Sequence, residues 1–232
     1  MVSGSTPPNA PPARALAHRM LAPIARGLIA AGVTANGVTA VALALGLAGG
    51  ALVASGRFGA AAALIVLASL GDALDGVLAR VSRTASSAGA IFDAAADRYQ
   101  EMAILAGLAI HLHADVAPLS LVLGALLASF MVSYGSAKAE AMRVQVPDGA
   151  MRRFERAVCL CAGIALAAVT SALVRAGTIA PWLAEAPILA ALAIVAVVGN
   201  TSAVLRLRAI AASTHPKKTA EATMPSQAVR SP

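Results

Sequence analysis

The sequence predicts an all-α protein: an integral membrane bundle of six transmembrane helices, preceded by an N-terminal amphipathic helix lying in the membrane interface. Three observations carry that prediction. Apolar residues make up 59% of the 232 and charged residues only 12%, with a mean hydropathy of +0.78, which is a membrane composition. The apolar residues gather into six segments of roughly 20, the length needed to cross a hydrocarbon core. Lysine and arginine, finally, are concentrated in alternate connecting segments, the pattern left when positively charged loops stay on the cytoplasmic side.

Residues 1–12, MVSGSTPPNAPP, are polar and proline-rich, unsuited to a signal-peptide core, and read as a disordered tail. In the next segment, Ala13 to Ala31, Arg14, His18, Arg19 and Arg26 interrupt apolar sequence and Pro23 stands inside it. A helix lying along the interface fits that mixture better than a span. The six spans are expected at 37–55, 59–80, 87–111, 116–138, 155–175 and 186–207. Turn and breaker residues separate them at Ser55-Gly56-Arg57, Arg83 to Ser87, His113 to Asp115, Pro147 to Gly149, and Gly177 to Pro187. Residues 13–212 therefore form one membrane domain. The remainder, 213–232, lacks apolar periodicity and reads as a second disordered tail whose basic start meets anionic lipid.

Counting alternate loops places fifteen lysines and arginines on one side and only Arg57 and Arg175 on the other. Both termini and the loop after the second span are expected in the cytoplasm, in a multi-pass protein of the cell membrane. A net charge of +7 does not indicate nucleic acid, because aromatics for stacking are only 3% of the chain and the basic residues lie between apolar spans. Cys159 and Cys161, two apart in an apolar run, suit neither zinc nor a bridge and read as packing residues. Gly46 and Gly50, four apart on the first span, read as a close helix contact.

The stretch from Gly71 to Glu101 carries the chemistry. Asp72 and Asp75 are three apart and Asp93 and Asp97 four apart, so each pair lies on one face of its own helix, and the polar segment between them turns the chain back. Charge inside a span costs on the order of 3 kcal/mol per residue even on lenient scales, so four carboxylates require a reason. One reading is structural: Asp72 and Asp75 pair with Arg80, and Asp93 and Asp97 with Arg98. That leaves negative charge over, and buried pairs often add little stability. The other is a divalent cation, for which all-oxygen ligation selects magnesium or manganese.

Asp72, Asp75-Gly76, Ala79-Arg80, Gly89, Asp93 and Asp97 stand at the fixed positions, and at the spacings, of the signature of CDP-alcohol phosphotransferases, which the chain resembles. The resemblance implies a membrane enzyme that releases CMP while transferring the phosphoryl-linked remainder of its donor to an alcohol. It implies metal binding by Asp72, Asp75, Asp93 and Asp97, with two Mg2+ or Mn2+ ions, and Asp97 as general base. It further implies CDP binding by Asp72, Gly76, Ala79 and Arg80, and a homodimer. Two metal ions suit displacement at a pyrophosphate phosphorus, and no covalent nucleophile is needed. Gly89 is expected to allow close approach of helix or ligand.

Two further stretches bear on the acceptor. Val33 to Thr39, VTANGVT, resembles the entry to the first span in the phosphatidylinositol phosphate synthase branch of the family, with Thr34 a helix cap or a ligand. SYGSAKAEAMR at 133–143 and RRFER at 152–156 resemble patterns of the same branch, departing from it at Ser136, Arg152 and Phe154. Lys138, Arg153 and Arg156 are the expected acceptor-binding cations, suited to a phosphate-bearing alcohol such as inositol phosphate. CDP-diacylglycerol is the expected donor. Phosphatidylglycerophosphate synthesis or another acceptor is the alternative within the family, and a divalent-cation transporter the alternative outside it.

Overall fold

The computed structural model describes residues 12–145 and 149–214. Within them the chain forms seven α-helices: α1 (Pro12–Ala30), α2 (Ala35–Ala54), α3 (Phe58–Val81), α4 (Ser87–His111), α5 (Val116–Ala141), α6 (Arg153–Arg175) and α7 (Ala186–Thr214). One 3₁₀ turn, Pro181–Leu183, joins α6 to α7, and there is no strand among the described residues. The expected tails lie outside the described residues, apart from Pro12, Ser213 and Thr214, which are helical. Most of the expected break at 147–149 also lies outside them.

Helix starts follow local chemistry. The Gly37 N–H donates to Thr34 Oγ1 at 3.1 Å and the Gly89 N–H to Ser86 Oγ at 3.1 Å, so each hydroxyl satisfies a first-turn donor. Thr34 is thus a cap. Several helix ends share one device, a left-handed residue followed by a hydrogen bond back to the helix. Gly56 and Gly177 take that conformation freely, with Arg57 N–H donating to Leu52 O at 2.9 Å and Thr178 N–H to Leu173 O at 3.0 Å. At the ends of α3 and α5 the same place is held by Arg83 (φ 57°) and Arg143 (φ 54°), at a backbone cost on the order of 1 kcal/mol each.

α2 packs between α3 and α4, α5 runs along α7, α6 bridges α7 and α3, and α1 lies against α3. A Cβ added at Gly50 would collide with the Ala103 carbonyl, and one at Gly107 with the Gly50 carbonyl, so α2 and α4 meet backbone to backbone. The close contact expected at Gly46 and Gly50 is therefore present. The main core joins Val53, Ile65, Leu105 and Leu108 to Val122, Leu160, Ile164 and Leu192. A smaller cluster, Ala22 and Ala25 with Val77 and Leu78, seats α1 on α3. Outward faces carry exposed apolar side chains such as Leu127, Val169 and Val197, a surface suited to lipid.

Five helices, α2, α3, α5, α6 and α7, are long and apolar enough to cross a membrane. This is the architecture of a multi-pass membrane protein. α4 has the length, 25 residues, but Asp93, Asp97, Arg98 and Glu101 lower its apolar character. α7 runs seven residues past the expected end at 207, because Arg208 and the alanines after it continue a helix as readily as leucine does.

Candidate active site

The four aspartates come from two neighbouring helices. Asp72 and Asp75 lie in the second half of α3, and Asp93 and Asp97 in the first half of α4, so all four fall in the half of the helix pair nearer its connecting turn. They are near enough for their charges to act on one another. Asp75 and Asp97 are buried, at 5% and 7% exposure, and Asp93 is half-buried.

Each carboxylate is held differently. Thr39 of α2 donates its hydroxyl to Asp75 Oδ2 at 2.5 Å. Ala35 O also lies 3.1 Å from that hydroxyl, but one proton serves one strong bond, and the carboxylate is the shorter and stronger acceptor. Gln100 Nε2 donates to Asp72 Oδ1 at 3.2 Å. Gln100 is itself buried against Gly46 of α2, where a side chain on the glycine would displace it. Arg153, the first residue of α6, places Nη2 3.3 Å from Asp72 Oδ2 and in contact with Asp97 Oδ1. Asp97 Oδ1 is otherwise buried without a hydrogen bond.

The cations on the cluster therefore come from α6 and not from the arginines nearest in sequence. Arg98 turns to donate to Ala94 O at 2.6 Å, and Arg80 folds back over Gly76, whose Cβ position lies 3.4 Å from Arg80 Nη1. Pairing of the aspartates with Arg80 and Arg98 is not observed. Arg156, expected to bind acceptor, is 1% exposed and its donors are taken up internally. Nε and Nη2 reach Glu101 Oε1 and Oε2 at 2.7 and 3.1 Å, and Nη1 reaches Met151 O at 3.0 Å. Lys138 is exposed in the last turn of α5, and no hydrogen bond or ion pair joins it to the carboxylates among the described residues.

Beside the carboxylates opens a cavity of about 470 Å³. Asp75, Gly76, Ala79 and Arg80 of α3 form one wall, Gly89 and Asp93 of α4 another, and Asn36 and Thr39 of α2 a third. The small residues leave room, and both acidic and basic groups line it. Among the described residues no three acidic, His or Cys side chains converge closely enough to hold an ion in this arrangement. The physical reason is local: Thr39 and Gln100 engage Asp75 and Asp72, and Arg153 stands on Asp72 and Asp97. The donor set still fits a hard divalent ion, being all carboxylate oxygen, partly desolvated and short of compensating charge.

Three residues of the site were not singled out from sequence: Thr39, Gln100 and Glu101. Gln100 and Glu101 stand three and four positions after Asp97, on the same helix face, which was the available signal. Thr39 closes the stretch VTANGVT that resembles the family's entry to the first span, which was its signal.

The chain is 35% identical over 144 residues to the bifunctional IPC transferase and DIPP synthase of Rubrobacter xylanophilus, covering 60% of this chain and 33% of that protein. It is 34% identical over 105 residues to an uncharacterized protein of Aquifex aeolicus, of which it covers 54%. The chain thus spans about a third and about half of the length of these two relatives. To the phosphatidylinositol phosphate synthase of Mycobacterium tuberculosis it is 32% identical over 155 residues, 65% of this chain and 71% of that one. The crystal structure of that synthase with CDP-DAG bound superposes with a TM-score of 0.71 at 28% identity, over 89% of this chain and 100% of the other. The same synthase with manganese and citrate gives 0.72 at 28% identity, over 88% and 94%. A sequence profile of CDP-alcohol phosphatidyltransferases matches residues 32–198, which include all four aspartates and the α2, α3 and α4 residues that line the cavity, and the chain belongs to the CDP-alcohol phosphatidyltransferase family.

Proposed function

We propose that the chain transfers the phosphatidyl group of CDP-diacylglycerol to the hydroxyl of inositol phosphate, releasing CMP. One observation carries the reading: the cavity is walled by Asp75, Gly76, Ala79, Arg80 and Asp93, and one helical turn after Asp93 stands a further carboxylate, Asp97, in contact with an arginine from another helix. A nucleotide diphosphate fits beside Gly76 and Ala79, where side chains are small, with the Arg80 guanidinium donating to its phosphates. Asp72, Asp75, Asp93 and Asp97 would hold Mg2+ or Mn2+, two ions in this reading. Bound metal supplies neutralisation of the pyrophosphate oxygens and of the leaving phosphate.

The remaining work falls to side chains. Asp97 accepts the proton of the acceptor hydroxyl as its oxygen bonds to the phosphatidyl phosphorus, and the bond from that phosphorus to the CMP oxygen breaks. Arg153, with Lys138, attracts the acceptor's own phosphate; Arg156 serves the acceptor by holding the start of α6 against Glu101. The manganese in one M. tuberculosis structure and the CDP-DAG in another support the metal and the donor. The name of that synthase supports the acceptor.

α4 is proposed as the sixth span, its aspartates turned to the site and its apolar residues Ile104, Leu105 and Leu108 to the core. α1 is proposed to lie in the interface, both termini and the aspartates to face the cytoplasm of the cell membrane, and the chain to form a homodimer. Placement of all four carboxylates in the half of the α3–α4 pair nearer its connecting turn favours an enzyme over a cation transporter, which needs a site open to both faces. Purified protein given CDP-diacylglycerol and Mg2+ is expected to release CMP fastest with inositol phosphate, compared with glycerol phosphate, inositol and serine. No CMP release with any acceptor refutes the reaction; a faster rate with an uncharged acceptor refutes the substrate.

A further inference from the structure

We propose that the Arg153 guanidinium is a displaceable counter-ion of the aspartate cluster: it stabilises the carboxylates in the absence of a divalent ion and swings off them when one binds. The inference rests on the metal reading given above. Arg153 Nη2 bridges Asp72 Oδ2 of α3 and Asp97 Oδ1 of α4, oxygens that an ion joining the two helices would also need. For Asp97 Oδ1 the guanidinium is the neutralising contact, since that buried oxygen has no hydrogen bond. The other aspartates are less dependent on it: Asp75 has Thr39, and Asp72 has Gln100.

Displacement requires only a side-chain rotation. Arg156, one turn further along α6, is buried and held by Glu101 and Met151 O, which pins the start of α6 to α4. Arg153 itself is 44% exposed, so much of its side chain is not packed against protein. A single positive charge against four carboxylates is outcompeted by a doubly charged ion at the same oxygens. Because Arg153 and the ion exclude each other, each weakens the other's hold by the same factor. The released guanidinium then stands beside the ion, where a phosphate-bearing acceptor would meet it.

The test uses the full chain in nanodiscs, stripped with chelator and titrated with Mn2+ alone, free Mn2+ being read by its EPR signal. Arg153→Gln is expected to bind Mn2+ more tightly than wild type by about fivefold or more. Arg153→Lys, whose compact charge reaches the cluster less well, should show a smaller gain. Arg98→Gln is the control, removing an equal charge from α4 next to Asp97 at a side chain that donates to Ala94 O and not to the cluster. Stripped Arg153→Gln should also melt at a lower temperature than stripped wild type and gain more from Mn2+. Unchanged or weaker Mn2+ binding in Arg153→Gln, or an equal gain in Arg98→Gln, overturns the inference alone. Absence of Mn2+ binding in wild type and variants overturns the metal reading and the inference together.

Discussion

Converting Glu101 to Gln should destabilise the bundle severely, although Glu101 belongs to none of the signature positions. Arg156 is 1% exposed, and its two bonds to Glu101, at 2.7 and 3.1 Å, are the charge compensation the structure provides for it. Removing one partner of a buried pair costs roughly 3–5 kcal/mol, because the other charge stays behind in a low dielectric. Glutamine keeps one acceptor oxygen, so the lower end, about 3 kcal/mol, is expected. Replacing both residues, as Glu101→Leu with Arg156→Met, removes both charges and should return stability to within about 1 kcal/mol of wild type. The assay is unfolding of purified protein in mixed micelles by titrated SDS, followed by circular dichroism, on the two single variants and the double. A strong positive coupling, the double variant more stable than either single, is the expected result. If Glu101→Gln unfolds with the wild type, or if Arg156→Met raises the acceptor half-saturation concentration at unchanged stability, the pair is not the fastening described and Arg156 faces substrate.

Other expectations are more local. Asp97→Asn keeps size but loses basicity, so turnover should fall on the order of 100-fold or more while CDP-diacylglycerol binding survives; near-normal turnover removes Asp97 as base. Thr39→Val deletes the hydroxyl that donates to Asp75 and should cost roughly 1.5–3 kcal/mol in the metal-stripped protein, measured by the same unfolding titration. Gly50→Ala drives a methyl into the Ala103 carbonyl on α4 and should destabilise by at least 1–3 kcal/mol, roughly the cost of an overpacked core; an unperturbed melting temperature would contradict the backbone contact. Chelation should abolish CMP release and added Mg2+ or Mn2+ restore it, as read by nucleotide chromatography.

Much of this protein is written locally. Apolar runs of membrane length and the breakers between them determined the helices to within a few residues for α2 to α6, since hydrophobic burial and turn formation act over neighbouring positions. The spacing of Asp72, Asp75, Asp93 and Asp97 determined that each pair would share a helix face, and the polar turn between the helices determined that the faces could meet. Gly46 and Gly50 were legible as a packing seam for the same reason. Partner choice was not local, and only the tertiary structure decided it. Arg98 and Arg156 look equivalent in sequence, yet one turns outward to a backbone carbonyl and the other is buried on Glu101, 55 positions away. Arg153 and Arg156 are three apart on one helix, and the packing of α6 against α3 and α7 sends one to the aspartates and the other to Glu101. Thr39 reaches Asp75 only because α2 lies in the groove between α3 and α4. Side-chain spacing along a helix specifies which residues face the same way, but a hydrogen bond between helices depends on their separation and rotation, which the whole core sets at once.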